Sequence, residues 1–242
     1  AIPIMTDKQV VQATQQLPKA LGTAIVMVRT LQDDLEVQKD RRALKKQGDE
    51  VRHLILQARL ARQSGDAARM AALDKEIGEQ RKKVQAQLKA LVPAKGANAG
   101  PDAWAALVAR LDLASPKDGA VFWSGDKTNA IDLGQERDGI SLESTSGGCL
   151  MDDWKLEGIP WNKDYGDGPP FTQDLWSLLS ASYAMQAEGE ITIVQTPIKH
   201  QEGGGEMWRL VERKVLLAKI AQGTVTLGQT IVREPQPKDT KG

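Results

Sequence analysis

Between residues 7 and 92 the apolar positions recur at helical intervals. Leu17, Leu21, Ala24, Val28, Leu31 and Leu35 step by threes and fours, and Met70, Leu73, Ile77, Val84, Leu88 and Leu91 do so with one turn skipped. That spacing predicts amphipathic helices with a narrow apolar seam. Pro18 starts or kinks the first, since proline tolerates only the opening turn of a helix. A charged run over 39–50 follows, broken by Gly48. Ser64-Gly65-Asp66 reads as a stop and restart, with Ser64 or Asp66 as the cap. The reading for residues 1–95 is a helical hairpin or coiled coil that buries its seam and solvates its charge.

The pattern changes after 93–101, a linker by its Pro, Gly and Ala content. A short helix over 102–111 places Trp104 on its apolar face. Short apolar runs at 120–123 and 140–142 read as strands. Residues 172–188 predict a helix with Thr172 as N-cap, Asp174 in the first turn and Gly189 as the stop. Residues 190–196 read as a strand ended by Pro197. Two more strands are expected at 207–217 and 224–232, with Gln222-Gly223 as the turn between them. Residues 233–242 read as a frayed polar tail. This alternation makes 96–242 an α/β domain behind the helical module.

Charge and aromatic content sharpen the division. The formal net charge is zero, so nothing argues for nucleic acid as a partner. Yet residues 1–100 carry 18 Lys/Arg against 11 Asp/Glu, the remainder carries 14 against 21, and every Trp, Phe and Tyr lies after residue 100. The basic residues of the helical half are interleaved with acidic ones, which favours a solvated hairpin over a membrane-active one. Cys149 is the only cysteine, so no intrachain disulfide can form and the fold suits a reducing compartment. With two histidines, His53 and His200, far apart, no metal site is expected. The apolar run at 21–28 is far short of a membrane span, and no signal peptide precedes it. A first residue of Ala rather than Met reads as a fragment or a processed product.

Four blocks could carry chemistry. Phe122-Trp123-Ser124-Gly125 places a flat aromatic beside a mobile backbone; it is either a stacking platform or a core Trp before a turn. Residues 141–153 hold Glu143, Asp152 and Asp153 among glycines and small polar residues. On a helix, Trp176, Ser180 and Tyr183 share one face. Strand alternation puts Trp208, Leu210 and Glu212 on one side, and a carboxylate on an apolar side is costly unless paired or used. Glu212 is therefore the most informative residue of the chain, with Glu206 as its rival.

Order and spacing of these blocks resemble the ADP-ribosyl cyclase/NAD(P)+ glycohydrolase family. A Phe-Trp-Ser element is followed about twenty residues later by Leu142, Glu143, Thr145, Gly148, Leu150, Asp152 and Asp153 at the family's intervals. Trp176, Ser180, Tyr183 and Ala184 match a third block, and Trp208, Glu212 and Leu216 a fourth. The resemblance covers 120–217 and none of the helical half. It implies a small, mostly parallel sheet with flanking helices. It also implies that Glu212 is the catalytic glutamate and that Glu143 contacts the nicotinamide amide and influences hydrolysis against cyclisation, with Asp152 its acidic neighbour. Trp123 and Trp176 would stack on the substrate, Ser124 and Ser180 would contact ribose and phosphate, and Trp208 would sit near the phosphates.

The chemistry is consistent with those residue types. Breaking the nicotinamide–ribose bond builds an oxocarbenium ion that a carboxylate can stabilise or trap. The cationic nicotinamide ring is attracted by Trp faces. NAD+ or NADP+ is then the substrate, and no cofactor or metal is needed. Two departures stand out: Gly125 occupies a position where vertebrate members carry a basic residue, and Ser144 replaces an acidic one. Phosphate binding would fall to Lys127, Arg209 or the amides of Gly203-Gly204-Gly205, if that run is an anion cradle rather than a loose loop. The disulfide-free domain resembles a bacterial toxin or effector, secreted through a bacterial delivery system to act in the target-cell cytoplasm, with a cognate immunity protein as partner. Cyclisation or ADP-ribose transfer at the same site, and a non-enzymatic helical adaptor with a nucleotide-binding module, are the alternatives.

Overall fold

The computed structural model describes residues 7–93, 100–152 and 170–237. The chain forms two compact units. The first takes in 1–22, 114–142 and 180–242, and the second 23–113 and 143–179. Each draws on residues from both sides of position 95. Helix α1 (Asp7–Thr14) belongs to the first unit, and α2 (Lys19–Gln32) starts directly after Pro18. Leu17, Leu21, Ala24 and Val28 are buried as the seam requires, but Leu35 is 78% exposed. The reason is a break at Asp33-Asp34: the Asp34 carboxylate accepts the Glu36 and Val37 N–H groups at 2.9 and 3.1 Å and starts a new helix.

In the second unit α3 (Leu35–Gln63) and α4 (Ala67–Leu88) pack along each other. The predicted joint is present: Ser64 is the C-cap of α3, Gly65 takes a φ of 71°, and the Asp66 carboxylate accepts the Arg69 N–H at 3.0 Å. Leu73, Ile77, Val84 and Leu88 are buried as the periodicity predicts. Gly48 does not break the charged run; α3 passes straight through it. Its place is explained by α7 (Ser146–Met151): a Cβ on Gly48 would lie 2.1 Å from the Ser146 carbonyl oxygen. The hairpin is part of a larger unit. It shares its unit with α7 and with Pro101–Trp104, a 3-10 turn that leads into α5 (Ala105–Val108) and buries Trp104. Arg41 Nη1 donates to the Ala109 carbonyl at 3.3 Å, and Arg81 Nε donates to the Cys149 carbonyl at 3.0 Å.

The first unit is built on a four-stranded, all-parallel sheet in the order β2-β1-β3-β4. The strands are β1 (Ala120–Ser124), β2 (Ile140–Ser141), β3 (Gly189–Gln195) and β4 (Val225–Val232). This agrees with the small parallel sheet and flanking helices expected of the α/β part. Helix α6 (Lys127–Arg137) is capped by Asp126, and α8 (Pro170–Gln186) starts two residues before Thr172, which is therefore inside the helix and not its cap. The Tyr183 hydroxyl accepts the Val121 N–H at 3.0 Å and donates to the Ile140 carbonyl at 2.6 Å, so one buried side chain of α8 ties β1 to β2. Tyr183→Phe leaves a buried N–H and a carbonyl short of a partner. It is expected to lower the unfolding free energy by about 1–3 kcal/mol in a urea titration; an unchanged midpoint would sink this role.

Two expectations are corrected here. Residues 207–217 form no strand: Trp208–Glu212 is a π-helical turn that runs into α10 (Arg213–Ala221). Trp208, Val211, Glu212, Val215, Leu216 and Lys219 are buried while Leu210 is 49% exposed, which is a helical face and not an alternation. The tail is not frayed over 233–237. Arg233 pairs with Glu136, Asn129 Nδ2 donates to the Glu234 carbonyl at 2.9 Å, and the Gln236 N–H donates to Asp126 at 2.6 Å. Residues 238–242, Asp153 and most of the 93–101 linker lie outside the described residues.

Lys219 is 2% exposed, and its Nζ donates to the Met185 and Ala187 carbonyls at the end of α8. These are the orphan acceptors and the negative pole of that helix. Burial lowers its amine to about 8, partly offset by Glu188. The folded chain thus holds this proton less tightly than the unfolded chain, whose lysines titrate near 10.5. Stability relative to Lys219→Met is therefore expected to rise between pH 8 and about 10.5 by roughly 1–3 kcal/mol. Parallel denaturation profiles across that range would contradict it.

Candidate functional site

The parallel sheet locates the site. β1 lies between β2 and β3. Beyond β1 the chain enters α6, whose Ala130 and Leu133 pack with Val121, Val194 and Trp123 on one face of the sheet. Beyond β3 it runs through α9 (Pro197–Gln201) to the π-helical turn, where the Trp208 ring lies 5.7 Å from that of Phe122. Phe122 alternates with Val121 and Trp123, so this is the opposite face. Adjacent strands whose connections leave on opposite faces open a crevice outside their carboxyl ends, and this is where open α/β sheets bind ligands.

Side chains converge on that crevice. Ser124 and Gln195, the last residues of β1 and β3, are paired in register. Ser124 Oγ accepts the Gly205 N–H at 3.0 Å, and the Thr196 N–H donates to the Ser124 carbonyl at 3.0 Å. Gln195 Oε1 lies 3.0 Å from His200 Nδ1. Gly204, with a φ of 104°, sits so close to the Trp208 ring that a Cβ would lie 2.3 Å from Cδ1. Phe122 and Tyr183 complete an aromatic floor, their rings 5.1 Å apart and tilted by 50°.

The π-helical turn sets the relation of Trp208 to Glu212. A wider turn keeps residues four apart in line, so both point inward, at 6% and 7% exposure. Turns of this kind are rare and recur at functional sites. A carboxylate so buried is costly to keep unless it is paired or used.

Of the other expected site residues, Ser180 is buried in the first unit, and Trp123 is half-buried on the α6 face. Glu143, Asp152 and Trp176 belong to the second unit, each half-buried. Glu143 sits in the 3-10 turn Leu142–Ser144, and Asp152 closes α7. Within the first unit Ser124 and Trp208 meet at the Gly204-Gly205 loop, and Glu212 lies one turn along the helix from Trp208. Gln195 and His200 join them and were not singled out in the sequence, although a polar residue ending the buried run Ile191–Val194 was a visible signal. Part of the second block has a structural explanation. Thr145 Oγ1 accepts the Gly148 N–H at 2.9 Å and caps α7, and a Cβ on Gly147 would lie 2.7 Å from Leu111 Cβ.

The glycine run is not an anion cradle. The Gly203, Gly204 and Gly205 N–H groups donate to the His200 carbonyl, the Lys199 carbonyl and Ser124 Oγ, so no amide of the run is left for a ligand. Gly125 could not carry a basic side chain: its φ is 99°, and a Cβ would lie 2.3 Å from Thr196 Oγ1. Cys149 is buried, which pushes its thiol up to about 12 and rules it out as a thiolate nucleophile. Among the described residues no group of three or more His, Cys, Asp or Glu could hold a metal ion, and no helix is long and apolar enough to cross a membrane.

No family model and no curated protein matches the chain. Solved structures do resemble it. Aplysia cyclase complexed with substrate NGD and product cGDPR shares 26% identity, over 48% of this chain and 49% of that one, with a TM-score of 0.39. The chain thus spans about half the length of that protein. Porcine CD38 with a covalent ribo-F-ribose-5'-phosphate intermediate shares 18% identity over 68% of this chain and 91% of that one, with a TM-score of 0.48. The apo structure of porcine CD38 shares 21% identity over 76% and 79%, with a TM-score of 0.44.

Proposed function

We propose that this chain is an NAD(P)+ glycohydrolase, hydrolysing NAD+ or NADP+ to nicotinamide and ADP-ribose, with every catalytic group carried by 96–242. The observation that carries the reading is the buried residue Glu212, one π-helical turn from Trp208, whose ring lies against the loop that meets Ser124 and Gln195. A crevice at such strand ends suits a dinucleotide. Cleavage of the nicotinamide–ribose bond needs little acid catalysis, because nicotinamide leaves as a neutral base. What it needs is a negative group at the anomeric carbon, where the oxocarbenium charge develops.

In this proposal Glu212 stabilises that charge and water adds to the sugar carbon, releasing a proton. Glu143 contacts the nicotinamide amide and biases hydrolysis against cyclisation, with Asp152 its acidic neighbour. Trp123 and Trp176 hold the rings by stacking, Ser124 and Ser180 contact ribose and phosphate, and Trp208 sits near the phosphates. No cofactor takes part, NAD(P)+ being the substrate. We further propose that the chain acts as a toxin or effector delivered by a bacterial secretion system into the target-cell cytoplasm. Its partner is a cognate immunity protein that covers the crevice.

The test is incubation of the purified chain with NAD+ and with NADP+, products resolved by chromatography. Nicotinamide with linear ADP-ribose supports the glycohydrolase. A cyclic product in its place would move the assignment to a cyclase. No turnover of either dinucleotide by folded protein would sink the enzymatic reading.

A further inference from the structure

A dinucleotide brings a diphosphate with two negative charges, and the crevice must meet it with a cation or with amide donors. The amides of the glycine run are committed, and Gly125 has no room for a side chain. The nearby cations can be taken in turn. Lys199 pairs with Glu202 at 3.0 Å. Arg233 is held by Glu136 through two hydrogen bonds, at 3.2 and 2.8 Å. Lys219 is buried against the end of α8. Lys127 is already engaged with neighbouring groups. Arg213 and Lys214 lie about one turn, roughly 6 Å, further along the helix than Arg209.

Arg209 is different. Its Nε donates to the Gly204 carbonyl at 3.0 Å, which fastens the guanidinium to the loop over Ser124, Gln195 and Trp208. Its two Nη groups have no hydrogen-bond or ion-pair partner among the described residues, and the residue is exposed. A guanidinium held by one edge presents its remaining donors as a planar fork, which fits phosphate oxygens two at a time. We infer that Arg209, clamped by the Gly204 carbonyl, is the anchor for the substrate's diphosphate. This rests on the glycohydrolase reading for the identity of the substrate. The geometry also explains the glycine run: positive φ values of 81° and 104° at Gly203 and Gly204 turn the chain so that the Gly204 carbonyl faces Arg209 while Gly205 reaches Ser124.

The experiment is calorimetric titration of wild type, Arg209→Ala and Arg209→Lys with ADP-ribose. Beside it, steady-state cleavage of NAD+ is compared with that of nicotinamide riboside, which has no diphosphate. ADP-ribose affinity is expected to fall about tenfold or more in Arg209→Ala, with Arg209→Lys between the two. The KM for NAD+ should rise by a similar factor with kcat changed by less than about threefold, and nicotinamide riboside should be cleaved equally by all three. Equal ADP-ribose binding by wild type and Arg209→Ala, or a parallel loss on nicotinamide riboside, would overturn the assignment. So would a folded wild type that does not bind ADP-ribose. A wild type that binds ADP-ribose but leaves NAD+ intact sinks the glycohydrolase reading instead, and Arg209 is then judged on the binding data alone.

Discussion

Glu212→Gln is expected to lower kcat for NAD+ cleavage roughly a thousandfold while leaving the fold intact. The amide keeps the size of the carboxylate and can keep most of its hydrogen bonds, but it has no charge with which to oppose the developing oxocarbenium ion. Because Glu212 is 7% exposed, water screens that interaction little, and its loss acts at the barrier more than on binding. The check is kcat and KM for both proteins, with a thermal melt alongside. A variant retaining more than a tenth of wild-type kcat would remove Glu212 from the chemistry. Glu206, which is exposed at the start of the same helical stretch, would then be the next residue to test.

A second large effect is expected from a single methyl group. In Gly48→Ala the new Cβ would stand 2.1 Å from the Ser146 carbonyl oxygen, 2.7 Å from its carbon and 3.0 Å from its Cα. All three are backbone atoms of α7, so no rotamer change relieves the clash and the two helices must part. Alanine is favoured over glycine in a helix by about 1 kcal/mol, but overpacking against rigid backbone costs about 3 kcal/mol or more. The steric effect wins, and a net loss of about 2 kcal/mol or more should appear in denaturant unfolding. Gly78 on α4 provides the opposite case. It is exposed, with nothing within 4 Å of a Cβ, so Gly78→Ala should stabilise by up to about 1 kcal/mol. If Gly48→Ala is neutral or stabilising, as Gly78→Ala should be, the close approach of α3 and α7 is refuted.

Local rules reached a good part of this fold. The Ser64-Gly65-Asp66 joint, the seam of α4 and the burial of Trp104 follow from capping, periodicity and apolar runs, while the parallel sheet is what the family resemblance implies. Within 207–217 the five residues 208–212 cannot separate a period of two from a helical one. Trp208, Leu210 and Glu212 alternate well enough, and bulky apolar residues favour strands. Carrying the pattern on to Val215, Leu216 and Lys219 would have favoured a helix, but a buried lysine hides that face from any hydrophobicity count. Its burial is intelligible only once the carbonyls of Met185 and Ala187 are seen at its amine. Gly48 is a similar case, since its reason lies about a hundred residues away in Ser146. In the site, Glu212 and Trp208 were visible as a buried carboxylate beside an aromatic. The Ser124–Gln195 pair and the clamp on Arg209 arise from strand register and a turning loop, which no single segment encodes.

The way the two units draw on the chain has a consequence for how the protein is made. The first unit joins residues from 1–22 to residues as late as 180–242, and within it α1 packs against α10. While the polypeptide is being synthesised, α1 must wait for α10 before the surface it packs against exists. The second unit can close only when residue 179 has emerged. Neither can finish on a half-made chain, so folding should be slow for a protein of this helix content. By the same logic, a truncated product beginning at residue 96 would expose the apolar face of α10 and is expected to aggregate.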